Sequence, residues 1–198
     1  MRHRIVVGLC AVLLSACACA QQVQGKSDLT VGEREIISAL LAQEAQHPER
    51  PRPILVLTPT DPWLPLKEAQ PVRPADIPEK VWEQSFRPIP DELRAANSQA
   101  YDLEGVVLPP GVHFYPRETF EKECASNKRF KKLVKRLGGV EPLVISVSRP
   151  AAAAFYGKSV VALHIQSTWS GCGGVDLYSA EQGPHGWTVK LENVIVFW

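Results

Sequence analysis

The stretch GVDLYSAEQGPHGWTVKLENVIVFW, residues 174–198, has the pattern of two strands joined by a turn. Its two runs are rich in alternating apolar residues, and GPHG at 183–186 supplies the glycine and proline that tight turns favour. Two more runs of this kind precede it, LVISVS at 143–148 and SVVALHIQST at 159–168. Four such runs predict an antiparallel meander. One face is expected to hold Val161, Leu163 and Ile165 with Val175 and Leu177 or their neighbours.

Helical patterns lie upstream of the meander. Thr30 and Glu33 form a capping-box sequence that predicts a helix over residues 31–46. A long helix is predicted over 117–137 and a short one over 91–98. The fold class we expect is α+β, a single domain in which two or three helices pack on one face of a largely antiparallel sheet.

Residues 48–90 contain eleven of the seventeen prolines and no glycine. Flexible linkers are rich in glycine and serine, so this composition predicts a stiff, extended arm. The arm carries Trp63 and Trp82, which favours an ordered arm wrapped over the domain, with a disordered spacer as the alternative. Within it, PILVLTP at 53–59 predicts a short strand, which its prolines should confine to a sheet edge or to the ends of a ladder.

The first twenty residues have the features of an export signal. Arg2 and Arg4 precede an apolar run, residues 5–14, that is too short to span a bilayer. The LSAC that follows resembles a bacterial lipobox, which predicts lipidation of Cys17 and a membrane anchor. No aspartate follows Cys17, so the resemblance implies an outer-membrane lipoprotein facing the periplasm. Cleavage after Ala20 is the alternative and would give a soluble secreted or periplasmic protein.

These signals divide the chain into three parts. Residues 1–20 are the lipoprotein signal with its adjacent residues, 21–29 a polar tether, and 30–198 a single domain that includes the proline-rich arm. Two of the 22 basic residues lie in the signal, so the rest of the chain, with 21 acidic residues, has a net charge near −1. This balance argues against a nucleic-acid partner, and the pattern indicates no cofactor and no metal site.

Two cysteines remain in the predicted folded domain, Cys124 and Cys172. Exported proteins keep disulfides, so we predict that these two pair. The closed loop would span about 48 residues and stabilise the fold by about 4 kcal/mol. A free thiol or a bond to another partner is the alternative.

The stretch STWSGCGGVDLY, residues 167–178, raises the question of a catalytic loop. A catalytic cysteine needs a base nearby, and His164 lies eight residues before Cys172. A phosphate-binding loop would need a helix and a lysine or hydroxyl residue directly after its glycines, and GCGG at 171–174 is followed by neither. A hairpin loop whose glycines accept positive φ is the favoured interpretation.

The predicted helix over 117–137 is amphipathic and strongly basic on one side. Four lysines at helical spacing form this side, namely Lys128, Lys131, Lys132 and Lys135. Such a face suits anionic lipid, an acidic glycan or an acidic protein, and a solvated face without a partner is the simpler interpretation.

Residues 88–198 resemble a widespread group of exported bacterial proteins with no established activity. The group has a Ser-Arg near the end of a strand, a glycine-rich and often cysteine-containing loop, a tyrosine, a hairpin, and a W-x-V strand ending near a tryptophan. The chain departs from it in the alanine run 151–154 and in having one loop cysteine where relatives often have two, which leaves the partner of Cys172 open. The matching residues are Ser148, Arg149, Ala162, Leu163, Gly171, Cys172, Gly173, Gly174, Tyr178, Gly186, Trp187, Val189 and Trp198.

The leading hypothesis is a lipid-anchored binding or accessory module of the cell envelope without catalytic activity, whose partner is the membrane together with an envelope protein or glycan. One alternative is an envelope hydrolase of wall or glycan material that uses His164 with Asp176 or Cys172. A second is a structural lipoprotein of an envelope assembly. The predicted binding surface consists of Arg149, Trp169, Gly171, Gly173, Gly174, Tyr178 and Trp187.

Overall fold

The computed structural model of the chain describes residues 29–48, 53–60, 79, 89–153, 157–166 and 173–197. Its elements, numbered along the chain, are α1 (Val31–Ala45), β1 (Ile54–Thr58), α2 (Asp91–Ala96), β2 (Val112–Pro116), α3 (Arg117–Cys124), α4 (Asn127–Arg136), β3 (Leu143–Val147), β4 (Ala151–Ala153), β5 (Lys158–Gln166), β6 (Gly173–Gly183) and β7 (Gly186–Phe197).

The strands form one seven-stranded sheet in the order β2-β1-β3-β5-β6-β7, with β4 paired to β5. The neighbours β3, β5, β6 and β7 pair in antiparallel fashion, which confirms the α+β class and the predicted four-strand meander. β1 is parallel to both β2 and β3, so the sheet is mixed at its other end. In the register of β5 and β6, Val161 lies opposite Tyr178 and Leu163 opposite Asp176.

β1 lies inside the sheet, so the prediction of an edge position is wrong, while the alternative, prolines at the ends of the ladder, agrees with the structure. Pro53 and Pro59 lie just outside the strand, where the ladder needs no N–H from them. The carbonyl of Pro53 accepts a hydrogen bond from the Leu143 N–H at 3.0 Å. All four residues from Ile54 to Leu57 are buried, as is typical of a strand covered on both faces.

α1 begins at the predicted capping box. The Thr30 N–H donates to Glu33 Oε2 at 2.7 Å, and the Glu33 N–H donates to Thr30 Oγ1 at 3.3 Å. The helix packs across one face of the sheet and forms the main core there. Its core side chains are Ile36, Ile37, Leu40 and Leu41, and those of the sheet include Ile54, Val56, Ile145, Val147, Val161, Tyr178 and Val189.

The helix predicted over 117–137 is broken into α3 and α4. Ser126 is extended, with φ −152° and ψ 145°, and its hydroxyl caps α4 by accepting from the Arg129 N–H. Both helices cover the sheet face opposite α1 through a second core, which contains Leu57, Phe120, Phe130, Leu133 and Val144. The expectation that the helices share one face is therefore wrong, because β1 and β3 present apolar side chains on both sides.

An irregular segment between α2 and β2 is tied to the sheet through Tyr101. The Tyr101 hydroxyl donates to the Val147 carbonyl at 2.6 Å, and its backbone exchanges hydrogen bonds with Thr60. Leu103 and Val106 are buried in the α1 core. Of the proline-rich arm, residues 53–60 belong to or adjoin β1, and most of the remainder lies outside the described residues.

Candidate functional site

Arg149, a residue of the predicted binding surface, belongs to a structural network. Its Nε and Nη2 donate to the two carboxylate oxygens of Glu33 at 2.6 and 3.0 Å, and its side chain is 20% exposed. Its backbone N–H and carbonyl both bond to the side chain of Asn97, which is buried. Burial acts to raise the pKa of Glu33, but the bonds from Arg149 and Thr30 hold that pKa below its ordinary value. Arg149 therefore joins the start of α1 to the end of β3.

Tyr178 is also internal. It is 2% exposed, and its hydroxyl donates to Glu44 Oε1 at 2.6 Å. Glu44 lies in the last turns of α1 and is 3% exposed. Tyr178 thus fastens the end of α1 to β6 from inside the core, and it contributes nothing to an exposed surface.

The remaining residues of the predicted surface do not form one patch. Gly173 pairs with Phe197 at one end of the β6–β7 hairpin, and Gln182 pairs with Trp187 at the other. Gly174 and Gln182 are eight residues apart on β6, a distance of about 27 Å along an extended strand. The other two members of the set, Trp169 and Gly171, lie outside the described residues.

The sheet register does not bring His164 and Asp176 together, as the hydrolase alternative requires. His164 lies opposite Val175, and Asp176 lies opposite Leu163. Successive positions of a strand belong to opposite faces, so these two positions lie on different sides of the sheet. Asp176 itself is 4% exposed, in the interior.

Cys124, at the last position of α3, has its thiol beside the second core and is bonded to no other described cysteine. Burial, together with the charge of Glu123, raises the pKa of this thiol to about 11. Its predicted partner Cys172 and the predicted lipidation site Cys17 lie outside the described residues, so the disulfide and the lipidation both stay predictions.

A groove of about 630 Å³ lies at the turn end of the β6–β7 hairpin. Three segments build this hairpin groove: the first turns of α1, the irregular segment around Gly105, and the hairpin turn itself. Gly186, at φ +108°, supplies the left-handed residue that the turn requires. The walls include Val31, Arg34, Glu35, Val107, Pro184 and Trp187.

Two apolar side chains of the hairpin groove face solvent. Val31 is 68% exposed and Val107 71%, the highest values among the exposed large apolar side chains of the described residues. The backbone of Val107 is fixed, because its N–H donates to Ser38 Oγ of α1 at 3.0 Å. Rigidly held apolar side chains in a concave surface are typical of binding sites.

Trp187 forms one wall of the hairpin groove and is held in place by α1. Its Nε1 donates to Glu35 Oε2 at 3.0 Å. A Cβ at Gly32 would lie 3.9 Å from the Trp187 ring, so the indole packs directly against the helix. The carboxylate of Glu35 is therefore already engaged by the protein.

Arg34 is the cation of the hairpin groove. Its guanidinium forms no hydrogen bond or ion pair with any described residue, and its Nε is buried. It lies against Gly105, where a Cβ would approach its Cδ and Nε to 3.2 Å and where φ is +79°. Glycine at 105 therefore makes room for Arg34. The hairpin groove combines apolar walls with a cation that has no partner in the described part of the chain.

Sequence patterns did not reveal the hairpin groove, because its residues come from three segments far apart in the chain. Among the members of the predicted surface that the structure describes, Trp187 alone contributes to it. Two local signals point to this place in retrospect. One is the turn sequence directly before Trp187, and the other is the single glycine, Gly105, just before the apolar residues at 106–108.

Comparison of the chain with models of protein families, with curated proteins and with solved structures finds no match in any of the three. Within the described ranges, no helix is both long enough and apolar enough to cross a bilayer. The same residues hold no group of three or more histidine, cysteine, aspartate or glutamate side chains arranged to bind a metal ion.

Proposed function

We propose that the protein is a non-catalytic binding module of the cell envelope, anchored by lipid at Cys17, and that its binding site is the hairpin groove. The observation that carries the proposal is the concentration of exposed apolar side chains there. Only four large apolar side chains of the described residues are exposed, and the two most exposed, Val31 and Val107, both line this groove. Their exposure costs free energy that a partner would recover.

The chemistry of the groove favours a peptide segment of a partner protein. The walls of Val31, Val107 and Trp187 suit an apolar side chain, and Trp187 gives the kind of rigid aromatic contact on which protein interfaces rely. Arg34 lacks a carboxylate from the described residues, so we expect a carboxylate of the partner beside that apolar side chain. A glycan partner is less favoured, because Glu35 and Ser38 of the lining are already bonded within the protein, to Trp187 and to the Val107 N–H.

The hairpin groove also lies where an anchored protein would meet an envelope partner. Leu29 ends the predicted tether and is buried in the α1 core, and Val31 of the groove follows two residues later. A chain lipidated at Cys17 would keep the groove within about 40 Å of the membrane, the reach of twelve extended residues. The hydrolase alternative receives no support from the register of His164 and Asp176.

Site-specific photo-crosslinking in the native envelope tests the proposal. A photoreactive residue in place of Val107 should give a discrete protein adduct, and Arg34→Gln in the same chain should reduce it several-fold. Val140, 45% exposed and outside the groove, is the matched control position and should give no such adduct. Equal adducts from both positions, an adduct insensitive to Arg34→Gln, or an adduct with glycan would overturn the peptide-binding groove.

Lipid anchoring is tested separately. Metabolic labelling with palmitate should mark the wild-type chain and not Cys17→Ser, and only the wild type should enter the detergent phase on phase partition. Unlabelled wild type, with a soluble product beginning after Ala20, would replace the anchor with simple secretion.

A further inference from the structure

We propose that the outer side of α4 docks onto an anionic lipid surface. α4 has ten residues, of which six are lysine or arginine and none is acidic. Phe130 and Leu133 are buried in the second core, so the helix is held by its apolar side and turns its charge outward. This surface is distinct from the hairpin groove, which lies on the α1 side of the sheet.

The arginines of α4 are already engaged within the protein. Arg136 bonds to Glu123 and to the Tyr115 hydroxyl, and Arg129 Nη1 donates to the Lys122 carbonyl at 3.2 Å. The lysines are different, because none of them forms an ion pair with a described residue. These four exposed side chains, called the lysine stripe here, are Lys128, Lys131, Lys132 and Lys135.

The four ammonium groups of the lysine stripe repel one another. Lys128 and Lys135 each lie three and four residues from the adjacent pair Lys131 and Lys132, along about 10 Å of helix, and like charges at this spacing destabilise a helix. A shallow depression of about 330 Å³ beside it, between α3 and α4, is lined by Lys122, Arg129, Lys132 and Arg136, with Glu123 as its only acid. Several negative charges supplied from outside would relieve the repulsion along the stripe, and the depression has room for one phosphate headgroup.

Lipid fits the lysine stripe better than protein or nucleic acid. Protein interfaces are depleted in lysine and rely on aromatic and arginine contacts, whereas the aromatic residue of α4, Phe130, is buried and its arginines are engaged. Single-stranded nucleic acid requires exposed aromatic side chains for base stacking, which α4 does not offer. A cluster of four lysines on the exposed side of one helix is a surface that anionic membranes attract by charge.

Docking through α4 would orient the molecule. α4 and α1 lie on opposite faces of the sheet, about 20 Å apart across the two packing layers. A tether of about 40 Å is long enough to pass from the membrane to Leu29 with α4 against the lipid. The hairpin groove would then face away from the bilayer. This orientation rests on the proposed lipid anchor, but the docking itself does not.

The test uses the full chain carrying Cys17→Ala, so that binding does not depend on lipidation. Its affinity is measured for phosphatidylcholine vesicles with and without phosphatidylglycerol, at low and high salt. We expect binding that requires phosphatidylglycerol and is lost at high salt, with a loss of about fivefold for each lysine neutralised in the stripe. Lys131→Gln/Lys135→Gln should therefore weaken it about 25-fold.

Lys158→Gln/Lys190→Gln is the matched control, since it removes two charges from β5 and β7. Its affinity should stay within about twofold of the parent. Amine acylation of the bound protein gives a second readout, in which the stripe lysines are protected and Lys190 is not. Equal losses in the two double variants, or equal acylation of stripe and control lysines on the vesicles, would overturn the docking. Neither result depends on crosslinking from Val107, so the two proposals can fail separately.

Discussion

The two helical layers of the sheet are held in different ways. α1 is fastened by polar side-chain bonds to residues more than a hundred positions away, and each bond ends on a different strand or strand end. In the α3–α4 layer the side-chain bonds that join the two helices or stay within one are short in sequence, and Arg117, at the start of α3, bonds to Ser146 Oγ and to the Pro59 carbonyl. The α1 bonds are Glu33–Arg149, Glu44–Tyr178 and Glu35–Trp187, and the local ones include Lys122–Glu118 and Arg136–Glu123.

The two modes of attachment give the two helical layers different roles. The bonds of Glu33 and Glu44 are partly or fully buried and therefore costly to break, so they fix the position of α1 in the sheet. The exposed Glu35–Trp187 bond then joins a wall of the hairpin groove to that fixed helix. The α3–α4 layer adheres mainly through apolar side chains, with Arg117 bonded to Ser146 of β3, and the lysine stripe on its outer side forms no ion pair with a described residue. A precise groove on one face and a diffuse charged surface on the other follow from these two modes of attachment.

The largest effects should come from the cores that both layers share with the sheet. Leu40 of α1 and Leu133 of α4 are 0% exposed, and each change to alanine should cost about 3 kcal/mol of unfolding free energy. Urea unfolding followed by circular dichroism should show one transition for both variants. The dependence of the unfolding free energy on urea concentration should be unchanged. The exposed Val140→Ala should change stability by less than about 0.5 kcal/mol. A second transition in Leu133→Ala would mean that the α3–α4 layer unfolds separately.

Two tyrosines allow a matched test of the polar bonds. Tyr178 and Tyr115 each donate a hydroxyl to a glutamate, but Tyr178 and its Glu44 are buried whereas Tyr115 is only partly so. Tyr178→Phe should cost about 2 kcal/mol, because a buried carboxylate loses a donor, and Tyr115→Phe about 0.5 kcal/mol. Similar losses of unfolding free energy in the two variants, measured by chemical denaturation, would contradict the proposed difference between the layers.

The parts of this fold that sequence predicted correctly are local. The capping box at Thr30 and the turns of the meander depend on residues within a few positions of one another, so their signals can be read directly. The break at Ser126 is local too, but the apolar spacing continues through it and conceals the cap. The interior place of β1 depends on pairing with β2 and β3 from far along the chain, which no local pattern encodes.

The site was harder to predict than the fold because it depends on strand register. Tyr178 was assigned to a surface, yet its position opposite Val161 places it on the α1 face, and a register shifted by one residue would have turned it outward. The sequence predicts Trp187 as part of a binding surface, but Val31, Arg34 and Val107 become its neighbours only in the folded chain. Composition and spacing can select individual residues of such a site without showing which of them meet.

A smaller effect is expected for the ion pair between Glu33 and Arg149. A double-mutant cycle with Glu33→Gln and Arg149→Gln should give a coupling of about 1 kcal/mol near neutral pH, since solvent screens this partly exposed pair. The pKa of Glu33 is lowered in the folded protein. The contribution of the ion pair to stability is therefore fully present above the ordinary pKa of 4.5 and is lost as the pH falls through the lower pKa of the folded state.

The same cycle on Glu118 and Lys122 provides the comparison within the α3–α4 layer. Both side chains are exposed, at 82% and 68%, so their coupling should be smaller than that of Glu33 and Arg149 at every pH and should vanish in high salt. If the Glu33–Arg149 coupling were equally sensitive to salt, the long-range bonds of α1 would be no more specific than local surface pairs.

The last prediction concerns the reactivity of the Cys124 thiol, which lies on the inner side of the α3–α4 layer. Burial and the charge of Glu123 raise the pKa of this thiol to about 11, so little thiolate exists near pH 8. Alkylation of Cys124 by iodoacetamide should therefore be about 100-fold slower than that of an exposed cysteine and should accelerate with pH and in urea. Glu123→Gln should accelerate it only a few-fold, because burial is the larger cause. Fast alkylation in the native protein would show that water reaches this side of the layer. If Cys124 were not alkylated even in urea, and became reactive only after a reductant was added, the result would instead reveal the predicted bond to Cys172.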